Sequence, residues 1–266
     1  MPDTPAAPAP RTDTSRVGAN ILWNYISVFT SVFGLLLLYP FAIAIVGAES
    51  YGLWVIAFSA IQLLTMSDFG LGTGIVRTLA DLPDDAAHRR RRESFVAVSV
   101  GVFLVLAVVL TTLYFVVFPL YLGTVAVPER DRHAVVPMVV AAGITLFVSV
   151  LGRACNSVLW ALNRPDIERK AAVVSILGRA AGYVLLIPLQ GGLIALVLVE
   201  CLSLLLPPVV CFIAVLRRFG LARPLPGAWR EQGRPLLRMS SVLSIGSLSL
   251  LGVYQLPLFV VGPTLG

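Results

Sequence analysis

The sequence predicts an all-α, polytopic transmembrane helical bundle of about seven spans with its N-terminus in the cytoplasm. Three observations predict it. The 266 residues are 58% hydrophobic and only 13% charged, with a mean hydropathy of +0.90, where a soluble domain carries about 25% charged residues. Apolar runs long enough for a span, about 20 residues, recur along the chain. The basic residues collect in short clusters between those runs, as cytoplasmic loops do.

Residues 1–16, rich in Pro, Ala, Thr and Asp, read as a disordered cytoplasmic tail. The apolar run that follows is too long for a signal h-region and has no small-residue cleavage site after it. A six-helix lobe is expected over 17–216. Its spans are Val17–Val46 with a kink near Pro40, Tyr51–Gly74, Ser94–Phe118, Val135–Leu162, Ala171–Leu189, and Leu193–Leu216 interrupted by Pro207-Pro208. Residues 217–236 read as a cytoplasmic loop, and 237–266 as a seventh span. Lipid satisfies no backbone hydrogen bonds, so the runs must be helical. A barrel would alternate apolar and polar residues, which Val100–Val109 does not.

Orientation follows from the basic residues. The tail and the loops after spans two, four and six hold sixteen of them, and the alternate loops only Arg130 and Arg132. Those even-numbered span ends are therefore expected to face the cytoplasm. The net charge of +6 is explained this way, and no nucleic-acid partner is implied. Cys155, Cys201 and Cys211 lie inside apolar runs without metal-type spacing and read as small hydrophobes.

Polar residues inside the spans carry the functional signal. Asn20, Asn24, Ser27, Ser31 and Gly34 form one helical stripe. Ser149, Arg153, Asn156, Trp160 and Asn163 form another, as do Ser175, Arg179 and Tyr183. Span seven offers Ser240, Ser244, Ser247 and Tyr254 beside Gln255. Such stripes have two explanations, helix packing through small residues and a shared hydrated cavity. The cavity reading has Asn20, Asn24, Asn156, Tyr183, Glu200 and Gln255 lining it.

Intramembrane charge is costly and usually marks a substrate or ion path. Counted from Leu162 and Ala171, Arg153 and Arg179 both sit about 12–14 Å from the cytoplasmic helix ends. The short loop between spans four and five suggests antiparallel neighbours, so the two guanidinium groups could share one level. They would then match a diphosphate in two-toothed fashion. The opposing explanation is structural, with the arginines capped by carbonyls or by Glu200, or snorkelling to the interface. Glu200 lies some 10 Å from that level, within reach only through tilt or long side chains.

Asp68, Gly70, Gly72 and Arg77 follow span two and suggest a hinge at a cytoplasmic gate, because glycine permits close approach or a flexible joint. The cluster from Asp81 to Arg92 reads as a solvated loop whose basic half suits contact with anionic lipid. There is no nucleotide-binding loop, paired-histidine motif or nucleophile elbow. His88 and His133 fall on opposite sides of the membrane in this topology. No catalytic group, cofactor or metal ligand set is expected.

Certain stretches carry a resemblance. Gly47-Ala48-Glu49-Ser50-Tyr51-Gly52-Leu53-Trp54, followed by Asp68-Phe69-Gly70-Leu71-Gly72 and Arg77, resembles bacterial oligosaccharide flippases. These are the polysaccharide transporters of the multidrug/oligosaccharidyl-lipid/polysaccharide exporter superfamily. Ala161-Leu162-Asn163-Arg164-Pro165-Asp166 looks like that family's loop after span four, and Tyr254 to Gly262 is similar to its seventh span. Where the family often places an acidic residue, this chain has Gln255 or Leu256, and neither Arg153 nor Arg179 matches a fixed family motif. The resemblance implies alternating-access movement of polyprenyl-diphosphate-linked glycan across the bacterial cytoplasmic membrane. It covers 17–266, about half of a typical member, so the chain is expected to be one lobe plus the first helix of a second. It would then need a second lobe or a homodimer. A drug or cation exporter of the same superfamily and a non-transporting scaffold for glycan-synthesis enzymes are the alternatives.

Overall fold

The computed structural model describes residues 14–66, 70–83, 88–125, 127–186, 192–220, 224–236 and 238. The seventh span, most of the N-terminal tail, Asp68 and Gln255 lie outside the described residues. Those described are helical, with no strand among them. Among the described residues there are seven α-helices: α1 (Thr14–Val46), α2 (Ala48–Met66), α3 (Leu71–Asp81), α4 (Arg89–Leu122), α5 (Arg132–Ala161), α6 (Asp166–Leu186) and α7 (Leu193–Phe219).

Four of these stretches, Gly18–Val46, Arg89–Leu122, Glu129–Ala161 and Leu193–Phe219, are long and apolar enough to cross a membrane. The bent pair α2 and α3 makes a fifth if the two are counted as one span. Large apolar side chains stand exposed along these helices, among them Leu22, Tyr25 and Phe29 on α1, Leu120 on α4 and Leu202 on α7. A water-facing surface rarely carries so continuous an apolar cover. The chain is a membrane protein of the helical class.

Three expected elements differ. Span two is not one helix: α2 and α3 meet at 40°. Gly70 opens α3 in the left-handed region, φ 71°, which a side chain would disfavour. Span five begins earlier, at Asp166. Asp166 and Glu168 suit the positive end of the helix dipole, and Lys170 reaches back to Asp166 at 2.9 Å. These charges keep α6 out of the class apolar enough to span by composition. Span six is not interrupted: α7 runs continuously through Pro207 and Pro208. A proline at 207 leaves the Ser203 carbonyl without its helical donor, and the Ser175 hydroxyl of α6 donates to that oxygen at 2.5 Å.

The core sits around α5, which packs against α2, α3, α4 and α7, while α6 packs between α1 and α7. Phe95, Phe103, Leu146, Val150, Val158 and Leu196 are fully enclosed. Gly152 faces Pro208, and Gly182 faces Val199, so small residues let backbones approach as membrane helices commonly do. The expected loop 217–236 is partly folded. Its π-helical turn Trp229–Gly233 docks on α4, and the Leu225 amide donates to Ser94 Oγ at 2.9 Å.

Candidate functional site

The polar residues of α6 recur every four positions and therefore share one face. That face meets α7. Below Ser175 and its bond to Ser203, Arg179 Nη2 stands 3.5 Å from Glu200 Oε2. The Tyr183 hydroxyl donates to Glu200 Oε1. Arg179, Glu200 and Tyr183 are 7%, 3% and 2% exposed, so the pair is shut off from both water and lipid. Arg179 Nε is buried without a hydrogen-bond partner. Tyr39 of α1 and Tyr51 of α2, rings 6.0 Å apart, lie within electrostatic reach of Glu200 and Arg179.

The arginine–carboxylate contact forms because α6 starts five residues before Ala171. Arg179 is 13 residues from Asp166, about 20 Å into the bundle at 1.5 Å per residue. Counting from the apolar boundary placed it too shallow. The same correction separates the two arginines. Arg153 follows Gly152, which abuts Pro208, whereas Arg179 meets Glu200. Eight residues of α7 separate those levels, about 12 Å. Nor are α5 and α6 packed neighbours, since α7 lies between them. A short connection brings helix ends together without deciding which apolar faces fit. The arrangement therefore gives no two-arginine layer.

The stripe of α1 is largely a packing face. Gly34 abuts Ile176 of α6, Ser27 is buried, and Ser31 Oγ donates to the Ser27 carbonyl at 2.7 Å. Asn20 Nδ2 reaches the carbonyl and Oδ1 of Asn163, both at 3.4 Å, which ties α1 to the α5–α6 turn. Asn24 is exposed and Asn156 half-buried, the latter with an Oδ1 lacking a hydrogen-bond partner. Tyr183 and Glu200 line no open cavity; they fill a helix interface. Of the expected hinge residues, Gly70 and Gly72 are buried at the start of α3 and Arg77 is exposed on it.

A second polar cluster stands at the opposite end of the bundle from the arginine-rich loops. Ser50 Oγ donates to Asp131 Oδ2 at 2.6 Å and accepts from Arg130 Nη2 at 2.9 Å. Arg130 Nε also lies 3.6 Å from Asp131, and its Nη2 3.9 Å from Glu49. Gly47, at φ 86°, leaves room for the guanidinium, whose Nη2 would be 3.1 Å from any Cβ there. The α1–α2 turn is thus clipped to the start of α5. Beside the clip a cavity of about 660 Å³ is lined by Phe41, Ile45, Ser50, Arg130, Asp131 and Leu193. The sequence offered a signal for this clip, a Glu-Ser pair after a glycine turn and a Glu-Arg-Asp triplet, but nothing that paired the two. Asp131→Ala removes the buried acceptor and is expected to lower stability by about 1–3 kcal/mol, read as a lower unfolding midpoint in detergent with Ser50→Ala costing less.

The chemistry open to these groups is ionic and steric. In the arginine–glutamate–tyrosine cluster the guanidinium faces a carboxylate to which the phenol hydroxyl is hydrogen-bonded. No family model, curated protein or solved structure matches the chain.

Proposed function

We propose that the chain is a flippase lobe that moves polyprenyl-diphosphate-linked oligosaccharide across the bacterial cytoplasmic membrane by alternating access. The permanently charged Arg179 inside a bundle of membrane-length helices carries this reading. Such a charge is expensive to insert and usually serves a path, and a guanidinium suits phosphate oxygens. In the proposal the diphosphate competes with Glu200 for Arg179. It meets Arg153 at a separate level, so the two arginines act in succession along the path. The resemblance of Gly47–Trp54 and the Gly70–Gly72 segment to the flippase family supports the same direction. The proposal includes seven spans, a cytoplasmic N-terminus, and a second lobe or a second copy of the chain that closes the cavity against α1.

The test is translocation in proteoliposomes. Fluorescent polyprenyl-diphosphate glycan should become accessible at the opposite leaflet faster with the chain than in empty vesicles. Arg153→Gln/Arg179→Gln should return the rate to background while protein level holds. An unchanged rate in that double variant contradicts the proposal. One observation favours a second reading, a non-transporting scaffold for glycan-synthesis enzymes: Arg179 already has a private carboxylate. Copurifying synthesis enzymes with no translocation would support it.

A further inference from the structure

At the arginine-rich end of the bundle, α6 and α7 enclose a cleft of about 670 Å³. Arg164, Arg217 and Arg218 rim it, and Ile167, Val210, Ile213 and Ala214 form its floor. We propose that this cleft binds the phosphate of an anionic phospholipid.

The charge is unbalanced at two of the three rim positions. Among the described residues no acidic side chain is paired with Arg164 or Arg217. The nearby carboxylates have other partners: Asp166 holds Lys170 at 2.9 Å, and Glu168 lies 3.6 Å from Arg169. Arg218 stands over the Phe219 ring at 6.0 Å, which keeps its planar fork at the rim. Three guanidinium groups around one opening fit phosphate oxygens in bidentate geometry.

The apolar floor decides between a lipid and a free anion. Val174 lies seven residues beyond Ile167 on the same face of α6, and Leu202 lies eleven before Ile213 on the same face of α7. Both are exposed, at 56% and 66%. The two helices therefore continue from a basic rim into uncovered apolar walls, which suits a headgroup with acyl chains below it. Basic pockets between membrane helices bind acidic headgroups in this way. The cleft lies on the outer side of the α6–α7 pair's cytoplasmic end as charge bias orients it, and the inference stands whether or not the chain transports glycan.

The full chain, purified into nanodiscs or neutral detergent, tests this by native mass spectrometry and thermal unfolding. The chain should retain phosphatidylglycerol in preference to phosphatidylcholine by about tenfold or more, and R164Q/R217Q/R218Q should lose that preference. R90Q/R91Q, which removes two exposed arginines of α4 at the same end, should keep it. Equal loss in R90Q/R91Q would mean diffuse attraction and would overturn the site. Inorganic phosphate that protects as well as phosphatidylglycerol would overturn the lipid assignment. Should the triple variant fail to fold, R217Q alone decides, because an unchanged preference there contradicts the proposal.

Discussion

Glu200→Gln is expected to lower the stability of the folded lobe by about 3–5 kcal/mol, the cost of leaving a buried charge without its partner. The substitution keeps size and keeps an acceptor for Tyr183, so what it removes is charge. Arg179 then stays 7% exposed with no carboxylate, and a guanidinium has no neutral form to adopt. Its Nε already lacks a hydrogen-bond partner, so the loss cannot be made up locally. Arg179→Gln should cost less, because Glu200 keeps the Tyr183 hydroxyl. Unfolding in mixed detergent–SDS micelles should place Glu200→Gln well below wild type and Arg179→Gln between them.

Gly152→Leu is expected to be of similar severity, through a steric cause. A Cβ at 152 would overlap the Pro208 ring and stand 2.8 Å from Pro208 Cα. The obstacle is a rigid ring and backbone, so no rotamer change on α7 relieves it, and the helices must separate. Overpacking usually costs about 1–3 kcal/mol, and more where nothing yields; a loss of about 3 kcal/mol is expected here. Gly178→Leu is the control: no atom lies within 4 Å of its Cβ position, and its unfolding midpoint should move little. Leucine is a better helix former than glycine, so equal losses at 152 and 178 would contradict a cost set by the α5–α7 contact.

Much of the fold was legible because hydrophobic runs report burial in apolar surroundings directly. Helices α1, α4, α5 and α7 lie where their runs predict. The misses have one physical source, tertiary contacts that override a local signal. Pro207-Pro208 reads as a break until Ser175 supplies a donor from another helix and Gly152 supplies space for the ring. Asp166 to Lys170 reads as loop because charge hides a helix start that its own i,i+4 pair supports. Gly70 signalled a joint between Met66 and Leu71, though not the 40° bend there.

The site was legible in its faces and hidden in its partners. Spacing alone put Ser175, Arg179 and Tyr183 on one stripe. It could not say that α7 covers the stripe, nor that α7 separates α5 from α6. Two arginines at matching distances from apolar boundaries looked level, yet boundaries set by hydropathy differ from helix ends. A few residues of error at 1.5 Å each suffice to exchange an open anion site for an ion pair. The clip of Ser50, Arg130 and Asp131 joins residues some 80 positions apart, a separation that periodicity cannot bridge.

The central structural claim is that Arg179 and Glu200 act on each other across α6 and α7. A double-mutant cycle with Arg179→Gln, Glu200→Gln and the combined variant measures that directly. The combined variant should recover most of the stability lost in Glu200→Gln, giving a coupling of about 2–3 kcal/mol. Additive losses within about 0.5 kcal/mol would contradict it and show the two side chains to be independent.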